Sequence, residues 1–482
     1  MSGISLEVRL RSKPQPRQPA PGAAARAMAS MGEWLRRHQR TIGLVQWGII
    51  GLYILLVAVP AFLPLPTRAA HLWSNLTLFA QFAFWGLWWP FVLLSMVVVG
   101  RSWCGLFCPE GAITERVSRH GLGLPVPRWI RWRGWPFAAF AMTTIYGQMT
   151  SVYQYPKPVL LILGGSTVGS MVVGYLYGRD KRVWCRYLCP VNGVFGVLAK
   201  LAPMHFRVDE EAWARSRRAV KIFARRVNCA PLVALPVMKG ASDCHMCGRC
   251  SQFRGAIELA PRAPNHEIVH VAGSDPKPWE TVLILVGLMG VAAGAFHWST
   301  SPWYYGAKTW IATWLIDHGA TWVLSIQPPW WMLTNYPESN DALTLLDGTL
   351  LVAYILATAA VIATGVAACL AAATLALGRW RSQAFHHLAQ ALIPIAGCGV
   401  FLGLFAITIS MLKADGITAA ATASVIRGAM LFGAWAWVVS LTWPITGRYA
   451  SSLARRGAAT AAVAGAAGIG VFSWVLLFFV WA

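Results

Sequence analysis

The sequence predicts an all-α membrane protein that crosses the bilayer several times. The chain has 482 residues, of which 56% are hydrophobic and only 12% are charged. A soluble domain carries about 25% charged residues, roughly twice this share. Several uninterrupted apolar stretches reach about 20 residues, the length that an α-helix needs to cross the hydrocarbon core. These observations define a polytopic helical protein.

Nine apolar segments are expected to form transmembrane helices. The predicted spans are 42–63, 76–99, 136–153, 159–177, 281–298, 349–377, 391–412, 428–446 and 458–481. If the spans alternate in direction, every strongly basic connection falls on one side, which identifies that side as cytoplasmic. The formal net charge of +23 therefore reflects membrane topology and not a nucleic-acid partner. The prediction is a multi-pass protein of a bacterial inner membrane with a cytoplasmic N-terminus.

Composition divides the chain into four regions. Residues 1–41 are expected to be a disordered basic cytoplasmic tail, because they are rich in Pro, Ala and Arg. Residues 42–178 contain two membrane hairpins, and 179–279 form a polar cytoplasmic segment. Residues 280–482 form a C-terminal membrane domain with an aromatic periplasmic loop.

Three cysteines in the polar segment stand at spacings of three residues: Cys244, Cys247 and Cys250. The spacing C-x-x-C-x-x-C is how one loop binds three corners of a cubane iron–sulfur cluster. Zinc usually takes two separated C-x-x-C pairs, so a [4Fe–4S] cluster is favoured over zinc. A fourth thiolate is required, and the nearest one on the same segment is Cys229.

Two loops on the predicted cytoplasmic side repeat the pattern R-x-W-C-x-x-x-C-P. The first contains Arg101, Cys104 and Cys108, and the second contains Arg182, Cys185 and Cys189. Because proline favours the first position of a helix, Cys108 and Cys189 are expected to cap new helices over 109–118 and 190–201. Helix N-termini lower thiol pKa values, so both thiols are expected to ionise readily. Four thiolates would then bind a metal or a cluster, or cycle between dithiol and disulfide.

The paired C-x-x-x-C-P loops followed by the cysteine-rich segment resemble the membrane polyferredoxins related to NapH and NosR. Over residues 42–280, the resemblance implies a small ferredoxin-like iron–sulfur segment in a membrane electron carrier that serves periplasmic redox systems. The chain lacks the fourth cysteine and proline that usually follow Cys250, and it has one such motif where NapH-like proteins have two. The four spans after 298 extend the NapH pattern and resemble the FtrD component of periplasmic ferrous iron uptake.

The expected function is therefore electron transfer as a component of a larger system, and not as a stand-alone enzyme. At the membrane or on its cytoplasmic side, the protein would exchange electrons with quinone or a cytoplasmic redox partner. No short motif assigns a flavin site, since flavin sites often have no such motif. The resemblance implies a periplasmic partner that is cupredoxin-like or a cytochrome, together with an iron permease. The aromatic loop 299–346 is the expected docking surface, with acidic Asp317, Glu338, Asp341 and the adjacent Asp347. The alternative is a copper-binding or copper-reducing protein that uses the thiolates of the C-x-x-x-C-P loops.

Overall fold

The computed structural model describes residues 22–67, 69–219, 227–418 and 420–481. The N-terminal half contains α1 (Ala23–Arg37), α2 (Gln39–Phe62), α3 (Leu76–Val99), α4 (Ser102–Leu106), α5 (Pro109–Ser118), α6 (Trp135–Met149), α7 (Pro156–Tyr177), α8 (Val183–Tyr187), α9 (Asn192–Leu198), β1 (Met204–Val208), α10 (Glu210–Ala219) and β2 (Ile257–Pro261). The C-terminal half contains α11 (Pro278–His297), α12 (Pro302–Asp317), α13 (Trp322–Ser325), β3 (Asn335–Tyr336), β4 (Asp341–Ala342), α14 (Leu345–Ala376), α15 (Ser382–Gln390), α16 (Ile393–Ala414), α17 (Ala420–Gly447) and α18 (Leu453–Val480).

Eight helices among the described residues are long and apolar enough to cross a membrane, and they coincide with eight of the nine predicted spans. The remaining predicted span, 136–153, is represented by α6, which has only 15 residues. At 1.5 Å per residue α6 is about 22 Å long. Its last residue, Met149, accepts a hydrogen bond of 2.8 Å from the backbone N–H of Thr334 in the aromatic loop. Thus α6 is short but reaches the face on which that loop lies.

The expected disorder of the N-terminal tail is wrong for residues 23–41, and residues 1–21 lie outside the described part of the chain. Residues 23–37 form α1, and α2 begins at Gln39. The helix forms because it has a surface to cover: Gly32 packs against Leu259 of β2 and Phe206 of β1. Composition alone favoured disorder since it contains no information about this tertiary contact.

The polar segment between α9 and α11 is a small lobe held by two antiparallel strands. β1 pairs with β2 in the register Met204 with Pro261 and Val208 with Ile257. Buried Phe206, Ile257 and Leu259 form its core together with Cys244 and Cys250. The strands therefore hold the cysteine-rich loop against their own apolar face.

The C-terminal spans form the main apolar core with α3 and α9. Helix α18 packs along both α14 and α17, and α11 lies against α14. Asp347 is buried and does not lie on the exposed loop: only 4% of it is exposed, and it completes a capping box with Thr344 at the start of α14. Lys308 of α12 pairs with it at 2.5 Å. The expectation that Asp347 contributes to a docking surface is therefore wrong.

Candidate functional site

We call the two repeated segments the first elbow (101–109) and the second elbow (182–190), and they have the same local structure. In each, one helical turn carries the first cysteine, and the second cysteine donates its backbone N–H to the tryptophan carbonyl. The Cys108–Trp103 bond is 2.9 Å long and the Cys189–Trp184 bond is 3.0 Å. Identical hydrogen bonding at matching positions is the structural counterpart of the repeated sequence.

The elbows continue into different helices. Cys108 caps α5 as expected, because its Sγ accepts a hydrogen bond of 3.4 Å from the N–H of Gly111. After the second elbow the helix begins at Asn192 and not at Pro190. Asn192 instead closes a turn by donating its backbone N–H to the Cys189 carbonyl, at 3.1 Å. The predicted helix 190–201 is therefore too long at its start, and its last turn, Ala199–Leu201, is a 3₁₀ helix.

The four elbow cysteines lie close together in a buried region. Burial raises the pKa of Cys108 well above its usual value, and nearby Cys104 and Cys185 raise it further. Burial likewise raises the pKa of Cys189, with Cys185, Cys108 and Cys104 adding to the effect, and raises the pKa of Cys185 to about 12. Loss of water on burial therefore opposes the effect that a helix N-terminus has on the pKa of these thiols.

The first arginine of each elbow reaches across to the other repeat. Arg182 is 2% exposed; it donates to the Cys104 carbonyl at 2.5 Å and to the Glu115 carboxylate of α5 at 2.7 Å. Arg101 is 3% exposed and donates to Asn192 at 2.6 Å. These crossed contacts fix the position of the elbows relative to each other.

The four cysteines of the polar lobe line one cavity. Cys229, Cys244, Cys247 and Cys250 all contribute to its wall, together with Phe206 and Leu235. The loop turns sharply through left-handed backbone at Met246 (φ 54°) and Gly248 (φ 76°). Burial raises the pKa of Cys244 to about 12 and raises the pKa values of Cys229 and Cys250. The structure thus brings Cys229 to the three-cysteine motif, and no elbow cysteine lines this cavity.

Helices α1 and α2 cover this loop. A Cβ atom on Gly248 would stand 2.4 Å from the Cβ of Leu35, so the loop packs closely on α1. Gln39, the first residue of α2, donates to the Cys247 carbonyl at 3.0 Å and accepts from Arg249, also at 3.0 Å. Arg249 additionally pairs with Glu115 at 2.5 Å. The N-terminal helices therefore shield the cysteine loop and tie it to α5.

The two cysteine groups are in direct contact through the backbone. A Cβ atom on Gly105, which follows Cys104, would stand 2.0 Å from the carbonyl oxygen of His245. The equivalent residue of the second elbow, Arg186, pairs with Asp243 at 2.7 Å. Both elbows therefore touch the loop that carries Cys244, Cys247 and Cys250.

The donor set fits an iron–sulfur cluster better than a single ion. Within the described ranges, no three His, Cys, Asp or Glu side chains converge tightly enough to hold one metal ion. Zinc needs its four ligands around one point, whereas a cubane takes one thiolate at each of four separated corners. The space between the lobe cysteines is small, about 20 Å³, so the fit rests on four thiols around one cavity, of which Cys244 and Cys250 are buried, and not on volume.

A second cavity, of about 250 Å³, lies where the elbows meet the spans. Its wall includes Cys108 and Cys189, one from each elbow, and the carboxylate-bearing Glu110. The remaining wall is largely apolar and includes ten aromatic side chains: Tyr53, Phe84, Trp85, Trp88, Trp89, Trp103, Phe140, Tyr153, Phe195 and Phe296. An apolar chamber within the helical region thus opens onto one cysteine of each elbow.

Sequence reasoning missed the side chains that connect these centres. The signal for Arg101 and Arg182 was present, because both are the first letter of the repeated motif. The sequence also contained a signal for Glu110 and Glu115. The chain has only 18 acidic residues, and these two lie just after the first elbow. No local signal marked Gln39 or the helix before it.

Comparison with known protein families indicates the class of protein to which this chain is similar. The family described as "4Fe-4S binding domain" matches twice, over residues 81–133 and 159–209. Each match contains one elbow, so both repeated segments are similar to the same family model. Together with the cysteine lobe, these matches support a membrane polyferredoxin-like protein with two segments similar to that 4Fe–4S binding domain.

Individual relatives are similar over part of the chain. The chain is 29% identical over 165 residues to the methylamine utilization ferredoxin-type protein MauN of Methylorubrum extorquens, which covers 32% of this chain and 55% of MauN. It is 28% identical over 172 residues to MauN of Paracoccus denitrificans, covering 31% and 55%. Identity to the putative electron transport protein YccM of Escherichia coli is 22% over 229 residues, covering 42% and 62%. The chain thus spans little more than half the length of these relatives, and no solved structure matches it.

Proposed function

We propose that this protein transfers electrons within a membrane through two adjacent cysteine-held centres. Cys229, Cys244, Cys247 and Cys250 would hold a [4Fe–4S] cluster, which supplies one-electron chemistry when bound. Cys104, Cys108, Cys185 and Cys189 would hold the second centre, either a cluster or another metal. The observation that carries the proposal is the backbone contact between Gly105 and His245, since it leaves no intervening layer between the two cysteine groups.

The surrounding side chains suit this role. Arg101 and Arg182 supply buried positive charge beside Cys185, which favours a thiolate over a neutral thiol. Glu115 bridges Arg182 of the second elbow to Arg249 of the lobe, at 2.7 and 2.5 Å. Helix α1 packs on the lobe loop at Gly248. Together these groups hold the two cysteine groups in fixed positions relative to each other.

The ligand assignment is tested by two matched variants. Cys229→Ser is expected to abolish or convert the signal of the lobe cluster in electron paramagnetic resonance, because it removes one of four ligands. Cys189→Ser is expected to leave that signal intact, since Cys189 lines the other cavity. Loss of the lobe signal in Cys189→Ser with retention in Cys229→Ser would reverse the assignment.

We further propose that quinone exchanges electrons at the aromatic cavity. The hydrocarbon core is about 30 Å thick, so a cluster at one surface needs a mobile carrier or another cofactor to serve the other. A chamber of about 250 Å³ with ring side chains along its wall suits a planar lipophilic carrier. Its contact with Cys108 and Cys189 would bring that carrier to the second centre.

A cavity-filling variant tests the quinone site. Thr144 of α6 lines the cavity, whereas Met142 on the same helix is 66% exposed to the outside. Thr144→Phe is expected to lower the rate of cluster reduction by a short-chain quinol at least tenfold, with reduction by dithionite unchanged. Met142→Phe is the matched control and should retain the quinol rate. An unchanged rate in Thr144→Phe, with the protein correctly inserted, would exclude this cavity.

The periplasmic side of the proposal concerns ferrous iron uptake. We propose a bacterial inner-membrane location, a cytoplasmic N-terminus, and docking of a cupredoxin-like or cytochrome partner on the aromatic loop, next to an iron permease. Trp303, Trp310 and Trp314 of α12 are 62, 71 and 50% exposed, which supports a contact surface. Glu338 is exposed nearby, whereas Asp341 accepts a hydrogen bond of 2.8 Å from Tyr155.

The docking proposal is tested with variants of two acidic residues of the loop that are exposed. Glu338→Gln combined with Asp317→Asn is expected to slow partner-dependent oxidation or reduction of the cluster in vesicles, most at low salt. Equal rates across salt concentrations would exclude the loop.

Reporter fusions at Arg119 and Gly240 are expected to be cytoplasmic and one at Glu338 periplasmic; a periplasmic signal at Gly240 would invert the orientation.

The alternative function is copper handling at the elbows. Four neighbouring thiols in an apolar setting are soft ligands, which favour Cu(I). Purified protein with stoichiometric copper and no reversible iron–sulfur signal would support this alternative. A reversible cluster signal in copper-free protein would support electron transfer.

A further inference from the structure

A third cavity, separate from both cysteine cavities, lies beside the second elbow and has a volume of about 540 Å³. Six parts of the chain form its wall: the two elbows, the start of α9, the loop before α6, the loop that precedes Cys244, and the segment around the start of α11. We call it the interfacial cavity because it lies where α6 and α11 both begin. It has no role in the electron route proposed above.

The wall of this cavity carries more positive than negative charge. Its cations are Arg101, Arg131, Arg133, Arg186 and Lys277, and its acids are Asp243, Asp275 and Glu280. Five cations against three acids leave a net charge of +2. Two of the acids are already paired: Asp243 with Arg186 at 2.7 Å, and Glu280 with Lys200 at 2.5 Å.

Three arginines of the wall have no carboxylate partner among the described residues: Arg101, Arg131 and Arg133. Arg101 is the most informative, since only 3% of it is exposed. Its two Nη atoms donate to Ser242 and Asn192, but its buried Nε has no hydrogen-bond partner. Arg101 thus contributes a buried and incompletely hydrogen-bonded guanidinium to the wall of a positively charged cavity.

The other half of the wall is apolar and aromatic. Trp132 and Trp279 meet edge to face with ring centroids 5.1 Å apart, and both rings are partly exposed. Pro136, from the first turn of α6, and Leu283, from the second turn of α11, complete this side. Indole rings at the start of two membrane helices are typical of the headgroup level of a bilayer. The cavity therefore joins an anion site to a surface suited to an acyl chain.

We propose that the interfacial cavity binds the phosphate headgroup of an anionic phospholipid. The phosphate would lie among Arg101, Arg131 and Arg133, and the chain would leave along Trp132 and Trp279. Basic pockets between membrane helices on the cytoplasmic side are known to bind such headgroups. A free phosphate or a mononucleotide shares the anionic chemistry but would leave the apolar half of the wall bare.

The sequence contains its own control for this proposal. The tripeptide Arg131-Trp132-Arg133 recurs as Arg379-Trp380-Arg381, after α14. Both arginine pairs are exposed, but the second pair does not line the interfacial cavity. The double variants Arg131→Gln/Arg133→Gln and Arg379→Gln/Arg381→Gln therefore remove the same charge from the same local sequence.

Native mass spectrometry of the delipidated, detergent-purified protein would measure the binding of added phosphatidylglycerol against phosphatidylcholine. The unaltered protein should prefer phosphatidylglycerol, and Arg131→Gln/Arg133→Gln should bind it about tenfold more weakly or worse. The Arg379→Gln/Arg381→Gln variant should bind like the unaltered protein. Arg131→Lys/Arg133→Lys should retain most of the affinity, which separates charge from misfolding.

Several results would overturn the proposal. Equal affinity for the two lipids would overturn it. An equal loss of phosphatidylglycerol affinity in both glutamine variants would also overturn it, because the effect would then come from general surface charge. Displacement of phosphatidylglycerol by millimolar inorganic phosphate would identify a free anion as the ligand. Flavin mononucleotide that binds the unaltered protein, but not Arg131→Gln/Arg133→Gln, would identify a mononucleotide site instead.

Discussion

The two elbows have the same sequence motif and the same backbone hydrogen bonds but contact the cysteine lobe by different means. In the first elbow the residue after the cysteine is Gly105, whose missing side chain lets the His245 backbone approach. In the second elbow the equivalent residue is Arg186, which reaches Asp243 through a long side chain. The first contact is rigid and steric, whereas the second is partly exposed and electrostatic. A duplicated motif has therefore diverged into one packing contact and one ion pair.

The largest effect on cluster content is expected from breaking the steric contact. Gly105→Ala would place a Cβ atom 2.0 Å from the His245 oxygen, and overpacking of this kind typically costs about 1–3 kcal/mol. The lobe loop must move, so purified Gly105→Ala should lose most of its iron and acid-labile sulfide. Gly51→Ala, where nothing lies within 4 Å, should retain both. Full iron content in Gly105→Ala would refute the close contact.

The next effect concerns the free energy of unfolding, and it is expected when the crossed arginine contacts are weakened. Glu115 has 7% of its side chain exposed and lies between Arg182 and Arg249, so Glu115→Gln leaves two guanidinium groups without their carboxylate. Breaking a buried pair costs about 3–5 kcal/mol, whereas Asn192→Ala, on the Arg101 side, should cost about 1–2 kcal/mol.

Denaturant unfolding in detergent would measure these free energies of unfolding. The exposed pair of Arg207 and Glu258 provides the control, because Glu258→Gln should change stability by less than about 1 kcal/mol. Equal losses in Glu115→Gln and Asn192→Ala would contradict the difference between the two arginines.

The smallest effect is expected at the second elbow's contact with the lobe. In the pair of Arg186 and Asp243, 31% and 44% of the side chains are exposed, so Asp243→Asn should cost less than about 1 kcal/mol. Iron content should stay near that of the unaltered protein. The loss of stability should shrink further at high salt because screening weakens an exposed pair. A collapse of iron content in Asp243→Asn would mean that both elbows are equally critical.

Much of the fold follows from local sequence. Span 76–99 was predicted with the observed bounds, and the other long spans were predicted to within several residues. The helix after Cys108 was also predicted, since proline at its first position acts locally. The errors have tertiary causes: α1 is ordered by strands β1 and β2, and the turn at Asn192 depends on contacts of the second elbow.

By itself the sequence determined the membrane helices, the duplication and the eight clustered cysteines, because hydropathy, proline placement and ligand spacing are local properties. Only the tertiary structure decided which cysteines share a cavity and what separates the cavities. Cys229 joins a motif 15 positions away, Gln39 bonds to Cys247 across 208 positions, and Arg182 reaches Cys104 across 78. Such contacts depend on how the spans pack, and no periodicity in the chain records them. The burial that raises the thiol pKa values arises in the same way, from side chains that are distant in sequence.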